Sequence, residues 1–300
     1  MDGFINVNKP AGFTSHDVVA VVRRALGIRR IGHAGTLDPA AEGVLPLAVG
    51  RATRLVDYLA GADKQYRAVV LFGAQTETDD AEGAVVAQAP VPPLGAIDLE
   101  RHLDKFRGEI LQRPPAYSAI RVEGKRAYKL ARRGTIVDVP ARRVTIHAAR
   151  IIEWSSPRLT LDVHCSKGTY IRSIARDLGL AVGCGAHLEH LLRTRVGTFE
   201  LSNAHRLDDV VEAGRTGRAV DLLRPPDSVL SGLPSIVTTE NRADDMRHGR
   251  AWPIDDLKAP LEAVDSVRVY DTAGRFLGLV SPVVERAVWQ PRLAFVDGDP

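Results

Sequence analysis

The densest group of residues with catalytic potential is the segment Gly32-His33-Ala34-Gly35-Thr36-Leu37-Asp38-Pro39. Pro39 disfavours helical dihedral angles at Asp38, so we expect the Asp38 carboxylate on an extended or turn backbone. The glycines of the segment allow it to pass close to a ligand. A carboxylate held in this way can act as a general base, a nucleophile or a metal ligand. An ordinary Asp-Pro turn would have the same local sequence, so the segment alone leaves both interpretations open.

A second candidate is the segment Ser166-Lys167-Gly168-Thr169-Tyr170-Ile171-Arg172, which is predicted between a strand and a helix. Side chains at the end of a strand can reach a cleft. Arg172 can supply the cation that keeps Asp38 ionised, because an adjacent arginine lowers the pKa of an aspartate by about 1–3. The alternative is an arginine in a first helical turn that forms a surface ion pair, worth about 0–1 kcal/mol.

Three further motifs fail the requirements for metal or nucleotide chemistry. His187-Leu188-Glu189 matches half of a zinc-deaminase motif, but no P-C-x-x-C follows it. His187 and His190 are three residues apart, which is not the HExxH spacing. Gly32-x-x-Gly35 lacks the GK[ST] ending of a phosphate-binding loop. We therefore expect neither a bound metal ion nor a nucleotide cofactor.

Composition and length restrict the class of protein. The 300 residues are 45% hydrophobic and 26% charged, which argues against a collagen, a coiled coil or a disordered chain, and the length suggests about two domains. Cys165 and Cys184 lack a C-x-x-C spacing and are too few for a disulfide framework, which favours a reducing, cytoplasmic setting. The N-terminus lacks the features of a signal peptide, and no apolar run approaches the roughly 18 residues that span a bilayer. We expect neither a secreted nor a membrane protein.

The distribution of charge along the chain is more informative about a nucleic-acid partner than the net charge of +3. Residues 121–143 contain eight basic side chains and two acidic ones, a local charge of +6. Residues 241–300 contain eight basic and ten acidic side chains, a local charge of −2. The positive field is therefore concentrated in the middle of the chain, where it could release counterions from a phosphate backbone. A solvated basic surface would have the same composition.

Hydrophobic periodicity indicates the elements that position these residues. Ser15 is predicted to cap a helix that ends before Gly27. The alternation of Arg158–Cys165 predicts a strand with Leu159, Leu161, Val163 and Cys165 on one face. Further strands are predicted at Val44–Val49 and Tyr66–Phe72, and helices at Arg51–Leu59 and after Thr169. Because strands and helices mix without a strict βαβ rhythm, we expect an α+β fold.

The last part of the chain is predicted to form a separate, small β-rich domain. Prolines and glycine are concentrated in residues 224–234, which indicates a domain boundary. Beyond it, Ser266–Tyr270 and Phe276–Val280 flank a hairpin loop, and Leu293–Val296 is predicted as a final strand. The predicted domains are residues 1–232 and residues 233–300.

Together these segments resemble the TruB-type tRNA pseudouridine synthases. Six pieces match in order along most of the chain, which makes the resemblance specific: residues 9–15 (KPAGFTS), 32–39 (GHAGTLDP), 64–67 (KQYR), 112–119 (QRPPAYSA), 167–172 (KGTYIR) and 183–188 (GCGAHL). The tail, with residues 246–249 (MRHG) and the hairpin at 267–280, is more loosely similar to the PUA module of that family. The resemblance implies a catalytic domain built on a mixed, largely antiparallel sheet flanked by helices, followed by a PUA-like RNA-binding domain.

The resemblance also implies an activity, which is the cofactor-independent isomerisation of uridine 55 in the T loop of tRNA. The bond from C1′ to N1 is broken, the uracil turns, and C5 is joined to C1′. Asp38 corresponds to the catalytic carboxylate, and whether it adds to C1′ or removes a proton to give a glycal is left open. Tyr66 is expected to stack on the uracil and to assist proton transfer, and Arg172 to pair with Asp38.

The same matching implies a set of substrate-binding residues. His33 is expected to contact the T loop, Tyr170 to form a hydrogen bond in the pocket, and Leu191 to pack against the base. The basic segment 121–143 lies where the family has an insertion that grips the stem-loop. The full set is Lys9, His33, Tyr66, Tyr170, Leu191, Arg132 and Arg133. A uridine stacked in a folded loop must be extruded to reach such a pocket, at a cost of a few kcal/mol.

Departures from the family pattern are small. Ala40 and Glu42 stand where leucine and threonine are common, so the packing beside the catalytic loop can differ modestly. The chain has no long extension like that of guide-RNA-dependent relatives, so we expect it to act without a guide RNA or an obligatory protein partner. Two rival interpretations remain: a non-catalytic tRNA-binding or folding module that uses the same groove, and a nucleosidase that hydrolyses the glycosidic bond and releases uracil.

Overall fold

A computed structural model of the chain describes residues 1–118, 120–122, 125–127, 139–254 and 265–295. Arg132 and Arg133, with most of the basic segment 121–143, lie outside the described residues, and so does Val296. The described chain forms twenty strands and six α-helices, arranged as two larger sheets and two small strand pairs. The α+β class predicted from the sequence is confirmed.

The strands in chain order are β1 (Gly3–Lys9), β2 (Ile31–His33), β3 (Glu42–Val49), β4 (Lys64–Phe72), β5 (Ala74–Thr76), β6 (Val85–Gln88), β7 (Gly108–Gln112), β8 (Arg121–Val122), β9 (Lys125–Arg126), β10 (Arg142–Ser155), β11 (Arg158–Cys165), β12 (Ala186–Val196), β13 (Phe199–Glu200), β14 (His205–Arg206), β15 (Leu223–Arg224), β16 (Ser235–Val237), β17 (Trp252–Pro253), β18 (Val267–Tyr270), β19 (Phe276–Val283) and β20 (Val288–Ala294). The α-helices are α1 (Ser15–Leu26), α2 (Val56–Ala60), α3 (Ala96–Asp104), α4 (Ile171–Val182), α5 (Leu207–Arg215) and α6 (Glu240–Arg247). Short 3₁₀ helices cover Gly50–Leu55, Leu201–Asn203, Ala219–Leu222, Pro226–Val229 and Val284–Arg286.

The large sheet has the strand order β14-β1-β3-β12-β4-β11-β10-β7, with β2, β13 and β15 paired at its margins. Its neighbours are antiparallel except for β1 with β14 and β3 with β12, which are parallel. The sheet is therefore mixed and largely antiparallel, as expected. β11 has the predicted alternation, because its four apolar side chains are buried while Thr160, Asp162 and His164 between them are only partly buried.

Helices cover the two halves of this sheet and bury its side chains. One cluster packs α3 and α4 against β4, β10, β11 and β12. A second packs α1 and α5 against one face of β1 and β3. The opposite face of β1 and β3 packs against α2, its preceding 3₁₀ helix and side chains of the small sheet. Because both faces are covered, β3 is buried along nearly its whole length, which explains the continuous apolar run of its sequence.

The small sheet has the order β16-β18-β19-β20-β17. The predicted hairpin is present, and Asp271 closes its loop because its Oδ1 accepts hydrogen bonds from the amides of Ala273 and Arg275. The predicted final strand was wrong in its start, because β20 already begins at Val288. Pro291 lies in this strand beside a register shift and, having no N–H to donate, interrupts the pattern of pairing.

The predicted domain boundary after residue 232 falls between β15 of the large sheet and β16 of the small one, and it stays a prediction. Contacts cross this point. The Tyr270 hydroxyl donates a 2.6 Å hydrogen bond to Asp227, and Leu279 and Phe295 share a hydrophobic cluster with Phe4. The two cysteines are free, buried thiols, in agreement with the sequence. Among the described helices, none is both long enough and apolar enough to cross a membrane.

Candidate active site

The loop between β2 and β3, residues 34–41, carries Asp38 and is called the Asp38 loop below. Ser15 is buried at the start of α1 and holds this loop: its Oγ accepts a 2.9 Å hydrogen bond from the Leu37 amide and donates to the Leu37 carbonyl at 3.2 Å. The prediction that Ser15 caps α1 was wrong. Thr14 is the cap, since its side chain accepts from the Asp17 amide while the Asp17 carboxylate accepts from the Thr14 amide.

Lys9 is fully buried at the end of β1 and also supports the Asp38 loop. Its Nζ donates hydrogen bonds to the carbonyl oxygens of Pro10, Phe13 and Pro39 at 2.9, 2.6 and 3.1 Å. Burial lowers the pKa of Lys9 to about 8. Because all three ammonium hydrogens are directed at backbone carbonyls, the structure gives Lys9 a positioning contact and argues against the predicted contact with substrate.

Arg193 on β12 is a third support of the loop and was missed by the sequence analysis. It is fully buried; its Nε donates to the Val44 carbonyl at 2.8 Å, and its terminal nitrogen donates to the Gly35 carbonyl at 3.0 Å. Desolvation lowers the pKa of Arg193, whereas the nearby Tyr66 hydroxyl and the Asp38 carboxylate oppose this shift. No signal in the sequence pointed to it, because Arg193 lies in a segment of mixed polar and apolar residues whose near neighbours are mostly only partly buried.

Asp38 and Arg172 form the predicted pair. The Arg172 Nε lies 3.1 Å from Asp38 Oδ2 without the angle of a hydrogen bond. Other guanidinium nitrogens donate to the carbonyls of Thr78 and Tyr117, at 3.1 and 3.0 Å, and one lies 3.4 Å from the Asp80 carboxylate. The Arg172 side chain is 6% exposed and that of Asp38 is 41% exposed. The Arg172 guanidinium is thus buried and fixed by backbone carbonyls, while the Asp38 carboxylate remains accessible to a ligand.

Tyr66 on β4 lies in the same cleft. Its side chain is buried, which raises the pKa of the hydroxyl to about 12, against an opposing contribution from the positive charge of Arg193. The hydroxyl therefore keeps its proton at neutral pH. Tyr66 can present a neutral aromatic face and a hydrogen-bonding group beside Asp38.

Tyr170 and Leu191 line the cleft as predicted from the resemblance, although the contacts assigned to them stay predictions. The Gln112 side chain positions the Tyr170 backbone: its oxygen accepts from the Tyr170 amide at 2.8 Å, and its nitrogen donates to the carbonyl at 3.0 Å. The Arg142 guanidinium lies over the Tyr170 ring, 4.9 Å from its centroid. Gln112 and Arg142 thus hold Tyr170 at the rim of the cleft.

His33 lies at the end of β2 and is not among the side chains that line the cleft. Its ring meets that of His16 edge to face, with centroids 5.1 Å apart. Burial, followed by the positive charges of His16 and Arg193, lowers the pKa of His33 to about 4. His33 is therefore neutral near pH 7, and its predicted contact with the T loop would lie outside the cleft.

The cleft itself has a volume of about 680 Å³ and opens to solvent. The sequence analysis placed Asp38, Tyr66, Tyr170, Arg172 and Leu191 in it, and all five line it. It did not identify the further lining residues, which include Lys64, Thr78, Asp80, Glu82, Tyr117, Ser118, Arg142 and Arg193. A carboxylate, two buried guanidinium groups and an aromatic face in one open cleft can bind a planar base and act on its sugar.

Comparison with known proteins identifies the family. A model of the N-terminal domain of the TruB family pseudouridylate synthases matches residues 23–171, and a model of the tRNA pseudouridylate synthase B C-terminal domain matches residues 172–231. The chain belongs to the TruB family. As a TruB-family member it is an enzyme, an isomerase that makes pseudouridine.

Individual relatives agree with this assignment to the TruB family. The chain is 46% identical over 299 residues to tRNA pseudouridine synthase B of Synechococcus sp. strain WH7803, covering 98% of this chain and 97% of the relative. It is 54% identical over 229 residues to the protein of the same name from Gloeobacter violaceus, covering 75% and 78%. The crystal structure of a Cbf5-Nop10-Gar1 complex contains a chain of similar fold, with a TM-score of 0.72 and 28% identity over 93% of this chain and 78% of that chain.

Proposed function

We propose that this chain converts uridine 55 in the T loop of tRNA to pseudouridine, with Asp38 as the catalytic carboxylate. The observation that carries the proposal is the placement of the Asp38 carboxylate 3.1 Å from the buried Arg172 guanidinium, in the same open cleft as the Tyr66 ring. The names of the curated relatives support tRNA as the substrate. The assignment of the target to position 55 depends on the resemblance of the sequence motifs to those of the family.

The reaction needs a carboxylate that is anionic and partly desolvated. The Arg172 guanidinium lies 3.1 Å from the Asp38 carboxylate and is fixed there by its hydrogen bonds to the carbonyls of Thr78 and Tyr117. Because the cation is preorganised in a buried position, charge development at Asp38 needs little reorganisation. Asp80, 3.4 Å from the same guanidinium, balances part of its charge.

The chemistry conserves every atom of the nucleotide. The C1′–N1 bond breaks, N1 and C5 exchange places, C5 bonds to C1′ and loses its hydrogen as a proton, and N1 gains a proton. Asp38 either forms a transient ester at C1′ or removes the proton at C2′ to give a glycal, and the geometry is compatible with both. No oxidant, reductant or second substrate enters the balance, so a cofactor is not required by the chemistry.

The target uridine must leave its stack to reach the cleft. Extrusion costs a few kcal/mol, and stacking on an aromatic side chain returns about 1–3 kcal/mol. Tyr66 and Leu191 both line the cleft, so one face of the uracil would meet Tyr66 while Leu191 would limit how the ring can turn. Tyr170 would supply a hydrogen bond from the rim.

Binding of the rest of the T arm is assigned to residues outside the cleft. Arg132 and Arg133, in the basic segment, would contact phosphates, and His33 would contact the T loop. Residues 233–300 would form a PUA-like RNA-binding domain. We expect the chain to act without a guide RNA or an obligatory protein partner, as an enzyme of the cytoplasm.

The test is incubation of purified protein with an unmodified tRNA transcript and no added cofactor, followed by carbodiimide mapping of pseudouridine and mass measurement. We expect one pseudouridine at position 55, an unchanged RNA mass, and no product with Asp38→Asn. The variant should keep its tRNA affinity within a few-fold, because the change removes a charge and keeps the shape. Asp209→Asn, on the exposed surface of α5, is the matched control and should be fully active.

Each alternative has a distinct outcome. Loss of uracil mass from the RNA would indicate a nucleosidase. Binding without product in the wild type would indicate a non-catalytic module. Wild-type turnover by Asp38→Asn would remove Asp38 from the mechanism, and pseudouridine at another position would leave the chemistry intact while contradicting uridine 55.

A further inference from the structure

Among the described residues, three ligand-type side chains converge on the solvent-facing side of the large sheet. Asp63 Oδ2 lies 3.2 Å from His147 Nε2 and 3.7 Å from His164 Nε2. The two imidazole rings face each other with centroids 4.7 Å apart, and all ligand atoms of the group lie within 4.8 Å of one another. The three side chains are 29–44% exposed, so the group is reachable from solvent.

The backbone builds this convergence from three neighbouring strands. Asp63 immediately precedes β4, His164 is next to last in β11, and His147 lies in β10. The pairing of β10 with β11 shifts register between Ile146 and Ala148, so His147 is the extra residue of a β-bulge opposite His164. Bulges re-aim side chains, and this one places a second imidazole beside His164.

We propose that Asp63, His147 and His164 bind a divalent transition-metal ion of the zinc class. Two imidazoles and a carboxylate form a ligand set that such ions accept, with water in the remaining position. Donor atoms in a tetrahedral zinc site are about 3.3 Å apart, given metal–ligand distances of about 2.0–2.1 Å. The two distances to Asp63, 3.2 and 3.7 Å, are already close to that value. Small rotations of the two rings would complete the site.

The charges around the group both favour and limit binding. His164 Nε2 is buried and has no hydrogen-bond partner, which leaves its lone pair available for a ligand. The positive charge of Arg195 acts on His164 and opposes a dication, and the Lys64 ammonium acts on Asp63 in the same way. We therefore expect moderate affinity, which removal of the Arg195 charge would raise.

The site lies away from the reacting groups but is connected to them through β4. Along β4, Lys64 and Tyr66 face the buried side and Gln65 lies between them on the other, where it pairs with His164. A metal ion would tie the start of β4 to β10 and β11, three residues before Tyr66. Its effect would be to stabilise the edge of the cleft and not to take part in the isomerisation.

The experiment is a titration of the untagged, chelator-treated full-length chain with Zn²⁺, followed by calorimetry and by melting temperature. We expect one site per chain and a melting temperature that rises with zinc concentration. His147→Gln and His164→Gln should each weaken binding at least tenfold while melting like the wild type without zinc. His248→Gln is the matched control and should bind zinc as the wild type does, because His248 faces the Asp244 carboxylate and, among the described residues, belongs to no group of three ligand-type side chains.

Arg195→Gln tests the proposal by an expected gain in zinc affinity. A variant that merely damaged the structure would not bind zinc more tightly. We expect Arg195→Gln to raise zinc affinity several-fold. The proposal is overturned if the wild type binds no zinc, or if both glutamine variants of the pair bind zinc as tightly as the wild type. These outcomes do not depend on turnover of tRNA, so they are independent of the proposed function.

Discussion

Tyr66 and Arg193 show how single residues of the cleft depend on one another. Tyr66 is in the family motif and was expected in the cleft, but its buried partner Arg193 was not expected. The Arg193 guanidinium acts on the Tyr66 hydroxyl through its positive charge and donates hydrogen bonds to the carbonyls of Val44 and Gly35, so it links Tyr66 to the Asp38 loop. A motif identifies residues that are close in sequence, whereas this link joins β4 to β12.

Substitutions at Tyr66 separate its ring from its hydroxyl. Tyr66→Phe keeps the stacking surface, and we expect it to retain measurable turnover. Tyr66→Ala loses stacking worth about 1–3 kcal/mol, which corresponds to roughly a 5- to 150-fold lower single-turnover rate relative to Phe. Rates are measured on the unmodified transcript with enzyme in excess. Equal rates in the two variants would contradict the stacking role.

His33 gives the protein a pH dependence of stability with a defined sign. Its pKa is about 4 in the folded state and about 6.5 when unfolded. Below pH 6.5 the unfolded chain binds a proton that the folded chain resists, so the contribution of His33 is full above 6.5 and is lost as the pH falls towards 4. We expect the melting temperature of His33→Asn to fall less steeply between pH 6.5 and 4 than that of the wild type.

The control for this measurement is His248→Gln, whose side chain is exposed. It should follow the wild-type slope, because the exposed His248 side chain is replaced without changing a buried group. Identical slopes for His33→Asn and the wild type would mean that His33 takes up its proton without cost in the folded protein.

At the scale of elements, the sequence predicted several long segments but missed the two longest strands described, β10 (Arg142–Ser155) and β12 (Ala186–Val196). Strand β11 and helix α4 follow their sequence periodicity, because a complete face of each is buried against one core. The region predicted as one helix at Arg51–Leu59 is a 3₁₀ helix followed by α2. The three-residue strand β2 has too few residues for a period, and only its pairing with β3 makes it a strand.

The parallel contact of β3 with β12 depends on Gly43, which leads to a prediction for this element. Gly43 has φ of +104°, and a Cβ there would lie 2.2 Å from the Arg193 carbonyl oxygen. We expect Gly43→Ala to lower the free energy of unfolding by about 2 kcal/mol or more, and to reduce turnover by displacing Arg193. Urea denaturation measures the first effect.

Gly27→Ala is the matched control, since Gly27 also has a positive φ, of +66°, but no atom within 4 Å of the added Cβ. It should cost only the left-handed backbone, about 1–2 kcal/mol, and leave turnover unchanged. If both variants are destabilised equally and remain equally active, the close approach of Gly43 to Arg193 contributes nothing to the free energy of unfolding or to turnover.

At the scale of the whole molecule, affinity for tRNA and reactivity are expected in different places. The cleft has a volume of about 680 Å³, whereas the basic segment 121–143 carries a local charge of +6. Neutralising Arg132 and Arg133 to Gln should weaken tRNA binding and lower the slope of log affinity against log salt by about 1–2. Filter binding across a salt series measures this. A slope equal to that of the wild type would indicate that the segment is an ordinary solvated surface that does not contact the RNA phosphates.

What the sequence by itself determined is the local part of this protein. Motif spacing pointed to Asp38, Tyr66 and Arg172, and periodicity identified helices α1 and α4 and strands β3, β4 and β11, because both depend on residues that are near neighbours along the chain. Only the tertiary structure decided that Arg193 and Asp80 join the cleft, that Thr14 and not Ser15 caps α1, and that Lys9 is buried beneath the Asp38 loop. It alone brought Asp63, His147 and His164 together through a β-bulge. Such contacts are set by sheet order and register, which depend on packing between segments distant in sequence.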